Sequence, residues 1–405
     1  MRRGSQRKSA TVETLCPQMV SWGLLPHHRR PTQGGRVTKQ EMADGLRRLR
    51  GPGRVAAVGL ALVLLLGAAY GAGAWTATEQ HSVARSGHST ADPELGTEDG
   101  HDHSSHEGTH GEPAVYDPAA VPAAGFRARE AVLAPAPAGG EHRITLTVRE
   151  TVLEVAPGVR QRAWTYNGAV PGPTLRGRVG DRFVVTLVND GSTGHSVDFH
   201  ASQVAPMVQM RTIAPGERLT YRFTAERAGA FLYHCGSAPA VHHVGNGMFG
   251  AIIIDPAGLP PVDQEFVIVQ SELALGPRDG LAKVGKLYQA EYDAVVFNGY
   301  AGQYRFAPLT ITAGFRTRVW VVDAGPSASS AFHVVGTVFD TVFKEGTYVL
   351  RPNATRGGAQ VLDLAPAQGG FVEFTFAAPG DYPMLSHRFA DATRGASGLF
   401  RVSPR

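Results

Sequence analysis

Four side chains in this sequence have the chemistry and the spacing to grip a soft transition metal: His195, Cys235, His243 and Met248. Seven residues separate Cys235 from His243, and four separate His243 from Met248. Two imidazoles and a thiolate in a trigonal plane, with a weak axial thioether, make the ligand set of a blue (type 1) copper. A single cysteine is often only a small buried hydrophobe. The four residues together are a joint event that favours the metal.

Two more histidines stand beside that set. His200 follows His195 by five residues in HSVDFH, and His234 directly precedes Cys235. Side chains alternate faces along a strand, so an odd offset reverses direction. His195 and Cys235 then serve one metal, while His200 and His234 face another, with a covalent path between the two. Asp198 shares the face of His200 and can overhang the second metal. Two histidines do not complete a catalytic copper site, so a third ligand is needed.

The elements that must hold these residues read as strands. HRITLTVRE, DRFVVTLVN and RLTYRFTAE alternate apolar and polar residues with period two, and GAIIIDP is a short continuous apolar run. Glycine (49) and proline (27) are frequent enough to favour many turns over long helices. The fold class is all-β, built of Greek-key sandwiches. The pattern repeats once: Tyr166-Asn167-Gly168 answers Phe297-Asn298-Gly299, and GMFGAIIID answers SGLFRVSP. Two tandem sandwiches are expected, over residues 126–258 and 262–405. Within the repeat, Ser386-His387-Arg388 aligns with Tyr233-His234-Cys235. The second sandwich thus keeps a histidine, His387, and loses the cysteine. Equivalent positions on two domains can meet between subunits that close a ring, and His387 is the candidate third ligand.

The net charge of +4 averages two unlike parts. Residues 1–54 form a basic cytoplasmic leader of net +9, which leaves the remainder at −5 and argues against a nucleic-acid partner. Residues 55–75 carry no charge over 21 positions, a span able to cross a bilayer. Arg47, Arg48, Arg50 and Arg54 precede it and keep the N-terminus inside. Ala72-Gly73-Ala74 also fits a signal peptidase site. Cleaved signal or retained membrane anchor, the body is expected outside the cytoplasm. Cys16 lies in the leader, so the exported part holds one cysteine and no internal disulfide. Residues 76–125 read as a disordered tether. It carries His101, His103, His106 and His110, either a loose metal-collecting tract or a solubilising linker.

TYNGAVPGP, HSVDFHA, YHC, HHVGNGM, VVFNG and LSHRF occur in this order, and the chain from about 126 to 405 resembles the two-domain copper-containing nitrite reductases. The resemblance implies a homotrimer of tandem cupredoxin domains with one type 1 and one type 2 copper per subunit. His195, Cys235, His243 and Met248 would hold the first. His200 and His234 of one subunit and His387 of the next would hold the second. A small redox protein, cupredoxin or cytochrome c, would supply the electron, and nitrite would be reduced to nitric oxide. Asp198 would hydrogen-bond substrate and relay protons. The family is expected to place a second active-site histidine where this chain has Val338, which leaves the relay incomplete unless His333 fills it. His333 otherwise reads as a satisfied core histidine. His242 stands where the family has a tryptophan, and the spacing to Met248 favours His243 as the ligand.

Two other functions compete. A laccase-like two-domain oxidase reducing dioxygen needs a three-copper cluster rich in His-x-His pairs. Residues 126–405 hold eight histidines and no such pair. A blue-copper electron carrier needs no second site, which leaves His200, His234 and His387 without a purpose.

Overall fold

The computed structural model describes residues 112–352 and 356–405. The basic leader, the apolar segment 55–75 and the histidine tract 101–110 lie outside the described residues.

The first half builds two four-stranded sheets. One holds, in spatial order, β2 (Val159–Tyr166), β1 (Glu141–Ala156), β4 (Arg182–Asn189) and β6 (Arg218–Thr224). The other holds β3 (Leu175–Arg178), β8 (Phe249–Asp255), β7 (Gly229–His234) and the two-residue β5 (Asp198–Phe199). The second half builds a six-stranded sheet: β10 (Ala294–Phe297), β9 (Gln264–Leu273), β12 (Arg316–Asp323), β17 (Gly369–Thr375), β14 (Thr341–Lys344) and β15 (Thr347–Leu350). Its partner sheet has β11 (Leu309–Thr312), β19 (Ser397–Ser403), β18 (Gly380–Ser386), β13 (Ser330–Val334) and β16 (Leu362–Leu364).

Side-chain alternation stacks these sheets in four layers. On β8, Ile252 and Ile254 face the first sheet, while Ala251 and Ile253 face the second half. On β9, Val267 and Val269 meet that inner face, while Phe266 and Ile268 turn to the last sheet. Trp320 and Val322 of β12 oppose Val319 and Val321 in the same way. Both faces of the two middle sheets are buried, so their strands read as continuous apolar runs. An ion-pair chain crosses between the halves: Arg176 reaches Asp255 at 3.0 Å and Glu265 at 2.9 Å, and Glu265 also accepts from Arg318 at 3.1 Å.

The repeat is visible in the turns. Asn167 and Asn298 both adopt positive φ (58° and 52°), and each side chain accepts a backbone N–H, from Thr147 and Val269. Gly299 follows at φ 78°, and a Cβ there would lie 2.1 Å from Val170 O, so close packing admits only glycine.

One expectation fails at its edge. A tether over residues 76–125 is expected, yet residues from 112 onward dock. Ala114 N–H donates to Gly276 O at 3.0 Å, and Ala114 and Tyr116 pack against the cluster of Leu273, Leu275 and Ala301. The few apolar residues in an otherwise polar stretch give it something to bury.

Candidate metal centres

β7 places both candidate centres. Tyr233 and Cys235 point into the core shared with the first sheet, whereas Ala230 and Leu232 point towards the second half. His234 has the parity of Ala230 and Leu232 and ends the strand half-buried at the rim. Two neighbouring residues therefore open to opposite sides of one sheet.

Inside, Cys235 meets two histidines. His195 is fixed by a reciprocal backbone pair with Ile213, at 3.1 and 2.8 Å. Cys235 N–H donates to Met248 O at 3.0 Å, and Met248 N–H to His243 O at 3.1 Å, which folds the ligand loop on itself. His243 rides on the short helix Ala240–Gly245. Gly247 lets the loop return: its φ is 107°, and a Cβ would strike Val170 Cγ2 at 2.4 Å. His195 Nδ1 lies 3.2 Å from His243 Nδ1 and 4.0 Å from Cys235 Sγ, and His243 Nδ1 lies 3.4 Å from Sγ. All three side chains are buried, and Met248 is fully buried in the same core. Burial pushes His195 down to about 4, which favours the neutral imidazole. Trp164 packs against both imidazoles, at 5.4 Å from His195 and 4.8 Å from His243, and also against His242 at 4.9 Å.

Outside, β5 pairs Asp198 with His234, and His200 N–H donates to Leu232 O at 3.1 Å. The Nε2 atoms of His200 and His234 lie 3.0 Å apart, with Asp198 Oδ2 3.9 Å from His200 Nε2. His234 Nδ1 donates to Cys235 O at 2.9 Å, which fixes the tautomer and leaves Nε2 as the lone-pair nitrogen. Burial, then the nearby His234, holds His200 below its ordinary value. Among the described residues these are the two groups of donors close enough to share an ion. Both fit copper: soft sulfur with nitrogens in the dry site, imidazoles beside a carboxylate in the open one.

His387 does not join its own chain's His200 and His234. It is exposed, one residue past the end of β18. Its ring lies 5.4 Å from His333 and 4.5 Å from Phe389. Exposed apolar side chains belong to the same two segments: Val335, Val338 and Phe389.

The hydrogen-bond register corrects the alignment drawn from sequence. Ser196 N–H donates to Cys235 Sγ at 3.3 Å, and Ala331 N–H to Ser386 Oγ at 3.4 Å. Cys235 N–H binds Met248 O, and Ser386 N–H binds Ala396 O, each at 3.0 Å. Ser386, not Arg388, holds the Cys235 place, and Leu385 holds that of His234. The cause is length: five steps lead from Gly229 to His234, but seven from Gly380 to His387. The two extra residues keep the parity of the strand and carry His387 beyond it.

The same register pairs His333 with Leu385 as Asp198 pairs with His234. His333 is thus the repeat equivalent of Asp198. Its Nδ1–H donates to Gln360 O at 2.6 Å, and its ring lies 5.4 Å from that of His387. His333 is half-buried and hydrogen-bonded, and Val338 is 65% exposed. The signal in the sequence was the strand pairing of AFHV with MLSH, which spacing alone does not reveal.

A dry thiol–imidazole set and an open imidazole set, meeting at the end of β7, define a β protein of the multicopper class. A family profile described as multicopper oxidase matches residues 147–258. A copper-containing nitrite reductase of Neisseria gonorrhoeae is 35% identical over 272 residues, 64% of this chain and 68% of that protein. One from Alcaligenes xylosoxydans xylosoxydans is 30% identical, covering 64% of this chain and 85% of its own. The solved copper nitrite reductase of Nitrosomonas europaea superposes with a TM-score of 0.60 at 32% identity, over 65% of this chain and 94% of that one. The chain belongs to the copper-containing nitrite reductase family.

Proposed function

We propose that this protein reduces nitrite to nitric oxide, using a type 1 copper held by His195, Cys235, His243 and Met248 and a type 2 copper held by His200, His234 and the His387 of a second copy. The observation that carries this reading is the split at residues 234 and 235, which sets two unlike donor groups back to back. The two halves are read as tandem Greek-key cupredoxin-like sandwiches. A homotrimer brings the exposed His333–His387 edge of one copy over the His200–His234 edge of the next and covers Val335, Val338 and Phe389. The segment 55–75 with its basic flank supports a body outside the cytoplasm.

Copper, when bound, supplies the one-electron redox chemistry. The remaining work falls to the chain. Each turnover takes nitrite, one electron and two protons to nitric oxide and water, so two protons must reach the substrate. Asp198 stands at the imidazole pair, and His333 stands beside His387 with Nδ1 tied to a carbonyl. Assembly brings these two titratable groups to opposite sides of one site. Burial of Cys235 keeps water from the thiolate, while the open outer set admits a small anion. A small redox protein, cupredoxin or cytochrome c, is the electron source, and the thin cover of Trp164 and His242 over His243 marks its approach.

The test is anaerobic turnover of copper-loaded, reduced protein with nitrite, followed by a nitric oxide electrode. Catalytic nitric oxide supports the reading. No nitric oxide there, with dioxygen consumed in a parallel aerobic assay, would replace it with the oxidase alternative.

A further inference from the structure

Behind Cys235 lies a row of hydroxyls that the function above does not use. Ser196 is fully buried between His195 and Asp198, and its Oγ lies 3.8 Å from Cys235 Sγ. Gly236 N–H donates to that Oγ at 3.0 Å, and Ser237 O–H donates to it at 3.2 Å. A hydroxyl has one proton to give and two lone pairs to fill. Both lone pairs of Ser196 are taken, so its own proton is left for the sulfur. Ser237, itself buried, lies 2.8 Å from Thr212 Oγ1. With the Ser237 proton committed to Ser196, Thr212 must donate to Ser237. The row then runs in one direction, Thr212 to Ser237 to Ser196 to Sγ, and each bond polarises the next.

We infer that Ser196 is a positioning residue for electron transfer: its hydroxyl, oriented by Ser237 and Thr212, hydrogen-bonds the Cys235 sulfur and raises the reduction potential of the inner copper. Hydrogen bonds at a cysteine sulfur tune such potentials by drawing charge from the thiolate, which favours the lower oxidation state of the metal. The repeat supplies an internal comparison. The backbone donor is present in both halves, from Ser196 to Cys235 and from Ala331 to Ser386. That contact belongs to the fold. The side-chain hydroxyl exists only in the half that keeps a cysteine, since its counterpart Ala331 has none.

The inference rests on the assignment of Cys235 as a copper ligand, and the experiment separates the two. Wild-type copper-loaded protein must first show the intense visible thiolate-to-copper band; its absence would sink the assignment itself. With the band present, Ser196→Ala is expected to shift the Cu(II)/Cu(I) equilibrium about three- to tenfold towards Cu(II), tenfold being about 59 mV for one electron. The visible band should move to longer wavelength, while the signal of the outer copper stays unchanged. Ser237→Ala leaves Ser196 in place but frees its proton to turn away, and should give a smaller shift of the same sign. An unchanged potential and band in Ser196→Ala would overturn the inference. If that variant fails to bind copper, an unchanged Ser237→Ala would do so.

Discussion

His234 and Cys235 are consecutive in the chain and open to opposite sides of β7, Cys235 into the sandwich core and His234 towards the rim that faces the second half. The peptide between them is the shortest covalent link two donor sets can have. His234 also donates through Nδ1 to the carbonyl of Cys235, at 2.9 Å. The link is therefore rigid, and a change at one side is felt at the other through very few bonds.

In the function proposed above, the exposed His387 makes the outer site a property of the assembly. His387→Ala should lose the outer copper and nitrite turnover while keeping the blue band. Mixed expression of His387→Ala chains with chains carrying His200→Ala should restore a fraction of both, because some interfaces then pair an intact His200–His234 edge with an intact His387. Copper content and turnover of the mixture check this. No recovery would mean that His387 acts within its own chain or not at all.

His333 and Val338 should behave oppositely. Losing a positioned acid–base group costs about a hundredfold or more in turnover, so His333→Gln is expected to lower kcat by that order. Val338→Ala, which removes no proton donor, is expected to stay within about twofold. Steady-state kinetics across pH decide it, and a reversed pattern would restore the incomplete relay expected from the sequence.

Asp323 offers a test of stability rather than activity. It is fully buried at the end of β12, near Glu272 and Arg388, and accepts an N–H from Gly325. Burial, the largest cause, pushes it up to about 8. The folded protein therefore holds a proton that the unfolded chain releases above its ordinary carboxylate range. Stability falls as pH rises from about 4 to about 8. Asp323→Asn removes this dependence and should stabilise the fold at pH 8, by up to about 5 kcal/mol, with no gain near pH 4. The repeat shows that the amide fits: Asn189 Oδ1 accepts the Gly191 N–H at the corresponding place. Thermal melts of both proteins over that range measure the gap.

Much of this was legible in the sequence because a strand has a fixed period. The odd offsets from His195 to His200 and from His234 to Cys235 sort the histidines onto two faces without coordinates. Glycine and asparagine in the NG turns announce the repeat for a similar reason, since few residues adopt their backbone angles. What the sequence hid was register. Ser386-His387 resembles Tyr233-His234 as a string, but two extra residues precede it, and only the hydrogen bonds show that Ser386 stands where Cys235 does. His333 was hidden by the same cause: its partner across the strand is 52 positions away. The docking of Ala114 and Tyr116 was missed because a few apolar residues in a polar stretch carry no periodicity.

The most direct test of the two-sided strand is an electron paramagnetic resonance spectrum of fully copper-loaded protein. One type 1 and one type 2 signal in near-equal amounts are expected, with Cys235→Ala removing only the first and His234→Ala only the second. A type 1 signal alone, a coupled silent copper pair, or loss of both signals from either single substitution would contradict the account.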